Sequence, residues 1–252
     1  VPLEIHQNYL DQKTEIENII QNYSSTGKIL VEGSRNTIKI FQISTEKLSV
    51  KYFKKPGFIK GIIYSFFRKS KAKRSYEYAN YLLQHTIKTP FPIAYFEERN
   101  SFGFLGESFY VCNHIDYDFT IRELIHDPLF PERDEIIRQF TAFTFLLHEA
   151  RVNFLDHSPG NTLIKKIAAN QYEFYLIDLN RMKFQDMNLE LRMDNFKKMW
   201  LSKKMLQVVA KKYAELYGKP ESELLPILMK TSEDFKRKIN KKKWLKRKMG
   251  KR

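Results

Sequence analysis

Cysteine is almost absent: Cys112 is the one thiol among 252 residues. That excludes a disulfide framework and a Cys-x-x-Cys zinc site, and it marks Cys112 as a buried thiol of a reducing compartment. Long apolar runs are missing as well. The best candidates, such as residues 143–147, fall far short of the roughly 18 residues that a membrane span needs. The opening VPLEIHQNYLDQK has no signal-peptide core, and because it begins with Val rather than Met the native start stays open. Internal repeats and long linkers are absent too. Acid is missing from residues 54–74 and 236–252, which hold 8 and 11 of the 44 Lys/Arg. The rest of the chain has 25 bases against 29 acids, so a slightly acidic body carries two segments that supply the formal net charge of +15. Such segments seek phosphates, whether of lipid headgroups, nucleic acid or a polyanionic substrate.

What is present is a globular body. Apolar residues make up 42% and aromatics 14%, enough for a sizeable core in one large or two-lobed domain. Residues 3–23 predict a helix on Ile5, Tyr9, Ile16, Ile19 and Ile20, broken by Ser24–Gly27. Three β-type runs follow at 29–33, 37–44 (Ile38, Ile40 and Gln42 on one face) and 48–53, with turns short enough for an antiparallel meander. Residues 54–74 mix their charge with Phe58, Ile62, Phe66 and Phe67. They read either as an interfacial anchor or as a packing helix with a basic rim. A helix is expected over 75–85 and strands over 93–96 and 108–113. Thr120–Glu123 predicts a capping box, and a long helix starts after Pro131–Glu132. A hairpin pairs 162–166 with 172–177, and helices run to the end. The expected fold class is α+β: a β-rich N-lobe (1–112), a helical C-lobe (113–235) and a basic tail (236–252). The tail suits a membrane surface, RNA, or mere solubility.

The most informative stretch is Leu155-Asp156-His157-Ser158-Pro159-Gly160-Asn161-Thr162. It follows the long helix and precedes a hairpin that ends in Tyr175-Leu176-Ile177-Asp178-Leu179-Asn180. An Asp, an Asn five residues on and a hairpin delivering a second Asp are the layout of a kinase catalytic loop and its metal ligand. Phosphoryl transfer needs a carboxylate beside the acceptor hydroxyl, and it needs oxygen ligands for Mg²⁺ that phosphate and water complete. Asp156 fits the first role, and Asn161 and Asp178 fit the second. Pro159-Gly160 makes the turn that brings Asp156 and Asn161 to one side. Upstream, the same chemistry asks for a strand lysine paired with a helix glutamate. Lys51 and Glu77 are placed for it, with Lys54 as competitor. The phosphate-covering turn would be Gly33, Ser34, Arg35 and Asn36, whose backbone N–H groups can cup a phosphate.

With Leu147-His148-Glu149-Ala150, residues 152–164, Tyr175–Met182 (YLIDLNRM), Arg74-Ser75-Tyr76-Glu77-Tyr78 and Pro90–Ala94, the chain resembles the bacterial lipopolysaccharide core sugar kinases. That group includes Kdo and heptose kinases and is a branch of the protein-kinase-like superfamily. The likeness spans about residues 29–206. It implies a bilobal kinase-like fold and ATP- and Mg²⁺-dependent phosphorylation of a sugar hydroxyl on a lipid-linked saccharide. It also implies an enzyme that is cytoplasmic and peripheral on the inner face of the cytoplasmic membrane, with partners that are a nucleotide, an anionic glycolipid and an anionic membrane surface. Three departures stand out. Phe154-Leu155 replace the His-Arg of protein kinases, Asn180 replaces the glycine after the metal Asp, and no Ala-Pro-Glu follows. The lost Arg removes the usual partner of a phosphorylated activation loop, and the departures favour a small-molecule or sugar acceptor over a protein one. The rivals are an atypical kinase of proteins in RNA assemblies, a non-catalytic kinase-like module, and an aminoglycoside-type phosphotransferase, whose cationic acceptors sit badly with +15.

Overall fold

The computed structural model describes residues 3–34, 36–55 and 69–249. The chain divides into two compact units, Val1–Asp116 and Tyr117–Arg252. The first holds a six-stranded antiparallel sheet in the order β1-β5-β6-β4-β3-β2. These strands are β1 (Leu3–Ile5), β2 (Lys28–Glu32), β3 (Asn36–Ile43), β4 (Glu46–Phe53), β5 (Pro92–Arg99) and β6 (Leu105–Asn113). Helix α1 (Lys13–Gln21) covers one face with Ile16 and Ile20. They pack with Leu48, Val50, Phe109 and Val111. Helix α2 (Lys71–Gln84) packs on β5 and β6, and the Ser70 side chain caps it by accepting from Lys73 N at 3.0 Å.

One sequence expectation changes here, and the covered face of β3 is decided. Residues 3–23 are not one helix. Leu3–Ile5 pair with Phe96–Ala94 as an edge strand, and a 3-10 turn (Gln7–Gln12) separates them from α1. Edge pairing satisfies backbone groups that a frayed helix end would leave open. On β3 the buried face is Lys39, Phe41 and Ile43, while Ile38 and Ile40 are half-buried on the other side. A lysine can take a core position because its ammonium is spent. Lys39 Nζ donates to the carbonyls of Tyr23 (2.5 Å), Ser24 (3.2 Å) and Thr26 (2.8 Å), capping the turn after α1. Cys112 is a free, buried thiol pushed up to about 12 by burial.

The second unit is mainly helical. Strands β7 (Phe119–Thr120), β9 (Thr162–Ala168) and β10 (Gln171–Leu176) form one small sheet. Strands β8 (Val152–Phe154) and β11 (Met182–Phe184) form another. The helices are α3 (Ile121–His126), α4 (Arg133–Glu149), α5 (Leu189–Asn195), α6 (Lys203–Tyr217) and α7 (Glu221–Lys248). The capping box at Thr120 and Glu123 forms, with both reciprocal bonds present. Ile136, Ile137 and Phe140 of α4 meet Val209, Ala210 and Tyr213 of α6 and Leu224 and Leu228 of α7 in one core. The basic residues from 236 continue α7 without a break. Lys236 Nζ still reaches the carbonyl of Leu201 (2.6 Å), but everything from Asn240 to Met249 is exposed.

Candidate active site

The Asp156 loop is a short connection pinned at both ends. β8 pairs with β11, and Leu155 N donates to Arg181 O at 2.9 Å. Pro159–Asn161 then form one 3-10 turn, with Pro159 in the first position where its missing N–H costs nothing. Asn161 Nδ2 reaches back to the carbonyl of Asp156 at 2.8 Å, so the five-residue spacing closes the loop on itself. Among the described residues no donor is spent on Asn161 Oδ1. The backbone carbonyl of Asn161 accepts from Ile177 N at 3.0 Å, and β9 pairs with β10 down to Thr162↔Leu176. Asn161 and Asp178 therefore leave the base of one hairpin side by side. Asp178 has φ of +61°, a left-handed conformation that Asp tolerates better than most side chains, and Asn180 Nδ2 donates to its Oδ1 at 3.1 Å.

An amide oxygen and a carboxylate at adjoining strand ends suit Mg²⁺, which keeps several water or phosphate ligands and takes few from protein. Among the described residues no group of three His, Cys, Asp or Glu gathers into a protein-only metal cage. The donor set thus fits a metal carried in with a phosphate rather than a resident zinc.

Under the loop lies a buried polar hub that sequence reasoning missed. Asn195, at the end of α5, donates through Nδ2 to Phe154 O (3.0 Å) and Asn153 Oδ1 (2.9 Å). Its Oδ1 receives His157 Nδ1 (3.1 Å) and His148 Nε2 (3.2 Å). Tyr213 OH, 2.8 Å from His148 Nδ1, completes the line, and Arg192 Nη1 donates to that hydroxyl at 3.2 Å. One amide therefore spends both donors and both lone pairs on four partners. Burial holds the two imidazoles neutral, lowering His157 to about 4 and His148 to about 3. Such a hub leaves no local trace, since its members lie about 40 residues apart in the chain.

In the first unit Lys51 lies on β4 between Ile38 and Tyr110, on the face opposite Val50 and Lys39. Its Nζ sits 5.4 Å from the Phe53 ring centroid, and its charge partly offsets the burial of Cys112. Glu77 is on α2, but Lys69 Nζ takes both its carboxylate oxygens at 2.8 Å. The Lys51–Glu77 pair expected from sequence is thus not the one formed. Lys69 stands eight residues from Glu77, just outside the N-cap of α2, and reaches it at little chain-closure cost. Lys54 follows the strand and is exposed. The β2–β3 turn closes through Gly33 N to Asn36 O at 2.9 Å, and a Cβ on Gly33 would stand 3.0 Å from Asn36 Oδ1. Ser34 is exposed there. Arg35 and the apolar part of the basic insert, including Phe58, Ile62, Phe66 and Phe67, lie outside the described residues.

A scan against protein-family models matches none, and no curated protein matches in sequence. Among solved structures the chain superposes on WaaP, seen in complex with acyl carrier protein. The TM-score is 0.68 at 15% identity, covering 96% of this chain and 99% of that one. The chain shares the fold of WaaP. This is the mixed α+β, kinase-like fold expected from the sequence, in which an antiparallel sheet unit precedes a helical one.

Proposed function

We propose that this protein is an ATP- and Mg²⁺-dependent phosphotransferase acting on a sugar hydroxyl of lipopolysaccharide core or a related lipid-linked saccharide. The observation that carries the reading is the closed loop in which Asn161 bonds to Asp156 while the same Asn161 anchors the strand that delivers Asp178. Asp156 orients the acceptor hydroxyl and takes its proton as the new O–P bond forms. Asn161 and Asp178 hold the metal, which when bound supplies positive charge to the phosphates of the donor nucleotide. Lys51, with the backbone of Gly33, Ser34 and Asn36, serves the nucleotide, and Glu77, held by Lys69 in this structure, turns to that lysine when nucleotide binds. The fold shared with WaaP supports the same reading.

The basic end of α7 supports a place of action at an anionic membrane surface. Lys236–Lys248 carry nine Lys/Arg and no acid, and Trp244, Leu245 and Met249 are exposed among them. Each basic residue near an anionic surface contributes on the order of 1 kcal/mol. Trp adds a contact that salt does not screen. We place the enzyme on the inner face of the cytoplasmic membrane. Mass spectrometry of lipid A and core from cells with and without the protein tests the chemistry, because a phosphate adds about 80 Da to the substrate. Sedimentation of a 1–239 truncation with anionic vesicles, against tRNA at several salt concentrations, tests the placement. Unchanged vesicle binding would return the basic end to the RNA or solubility reading.

A further inference from the structure

Three cations surround the Asp156 loop. Arg181 Nη1 lies 3.5 Å from Asp156 Oδ2, and Lys198 Nζ lies 3.3 Å from Oδ1 while donating to Leu155 O at 2.5 Å. Arg122, in the first turn of α3, lies over the other end of the loop. A Cβ built on Gly160 would fall 2.6 Å from its Nη2, so the guanidinium lies directly against the loop backbone at Gly160. Among the described residues no carboxylate ion-pairs with Arg122. Asp156 thus has two cations within ion-pair distance, and a third stands over the other end of its loop.

These cations do not drift on loose loops. The β8–β11 pairing fixes the backbone of Arg181, and the capping box at Thr120 fixes that of Arg122. Lys198 sits in the 3-10 turn after α5, the helix that Asn195 ties to Phe154. Arg122 and Arg181 are exposed and Lys198 is partly so, which leaves all three able to turn to a ligand. For a neutral acceptor the arrangement is counterproductive, since two ammonium-type partners would hold the carboxylate that has to engage the hydroxyl. An anion on the acceptor resolves the conflict, because it draws the cations off Asp156 as the hydroxyl arrives. Guanidinium groups are well suited to this, as they recognise carboxylate and phosphate in bidentate fashion.

We propose that Arg181, Lys198 and Arg122 form an anion subsite of the acceptor, so that the sugar phosphorylated here carries a carboxylate or a phosphate close to the receiving hydroxyl. This rests on the reading of Asp156 as the carboxylate that receives the hydroxyl. The test is ligand-observed binding to the full-length protein with three probes: free Kdo as a carboxylate sugar, its neutral methyl ester, and inorganic phosphate. Either Kdo or phosphate should bind about tenfold tighter than the ester, the equivalent of one charge-assisted contact. Preference for Kdo identifies a carboxylate, and preference for phosphate a phosphorylated sugar. Arg181→Ala, which removes the ion pair to the Asp156 carboxylate, and Lys198→Gln should each erase most of that preference. In turnover they should raise KM for the acceptor while KM for ATP stays within about twofold. Binding of both anions no better than the ester overturns the subsite. So does a rise in KM for ATP with anion binding intact, which would assign the cations to the phosphoryl donor. Asp156→Asn separates the two levels. Wild-type turnover in that variant removes the role given to Asp156, whereas the subsite stands or falls on the anion preference alone.

Discussion

Around Asp156 the loop is gripped from several sides: by Arg181 O just ahead of β11, by Ile177 N just after β10, and by Asn195 at the end of α5. Around Lys51 the corresponding parts are lightly held. Glu77 is engaged by an exposed lysine from outside its helix, and β2 is an edge strand with Ile29, Leu30 and Val31 open to solvent. The buried lysine among the described residues of the first unit is Lys39, which caps a turn and takes no part in the candidate chemistry. In the proposed reaction the end where a misplaced oxygen would cost most is the stiffly held one. The end proposed to admit and release a nucleotide is tied by an accessible ion pair, which breaks at little cost.

The largest effect expected from this contrast is at the stiff end. Asp156→Asn should lower kcat by about 10²–10⁴, the usual contribution of a positioned general base, with ATP affinity by titration little changed. Next comes the hub. Asn195→Leu strands two imidazole N–H groups and takes the donor from Asn153 Oδ1, and should cost about 3 kcal/mol in urea unfolding as well as turnover. A fall below about 1 kcal/mol would mean that the loop is held without it.

The two strand lysines make a sharper pair. Lys39→Met should lose about 2 kcal/mol of stability by leaving three carbonyls without their donor, with KM for ATP unchanged in the folded fraction. Lys51→Met should do the reverse, raising KM for ATP with stability within about 1 kcal/mol. A reversed outcome would exchange the roles of the two residues.

The buried imidazoles predict the acid limb of stability. His157 and His148 are held neutral in the fold, at about 4 and about 3, against 6.5 in an unfolded chain. The unfolded chain therefore binds the extra protons first. Their contribution is complete above about pH 6.5 and is lost as pH falls through about 4 and then about 3. The urea midpoint of the wild type should decline over that window, and His157→Gln should flatten its upper part. The smallest effect belongs to Glu77→Gln, which should change stability by no more than about 0.5 kcal/mol, because its partner Lys69 is well exposed. A much larger loss of turnover than of stability would show that Glu77 moves to Lys51 when nucleotide binds.

Local pattern alone determined a good deal of this protein. Alternation and turn residues place the strands over 28–53, Thr120 and Glu123 cap their helix, and the Asp-x₄-Asn loop ahead of a hairpin sets Asp156, Asn161 and Asp178 in order. These features depend on neighbours a few residues away, so they are readable without a fold. Period-two alternation assigns side chains to two faces but does not say which face is covered. Between the face of Ile38 and Ile40 and that of Lys39, Phe41 and Ile43 on β3, packing under α1 chose the second. The partner of Glu77, the clasp of Asn195 on a loop about 40 residues earlier, and the gathering of Arg122, Arg181 and Lys198 around Asp156 were likewise decided by tertiary structure. The reason is physical. A buried donor or a surplus charge is satisfied by whatever packing brings within about 3 Å, and sequence separation carries no record of that distance.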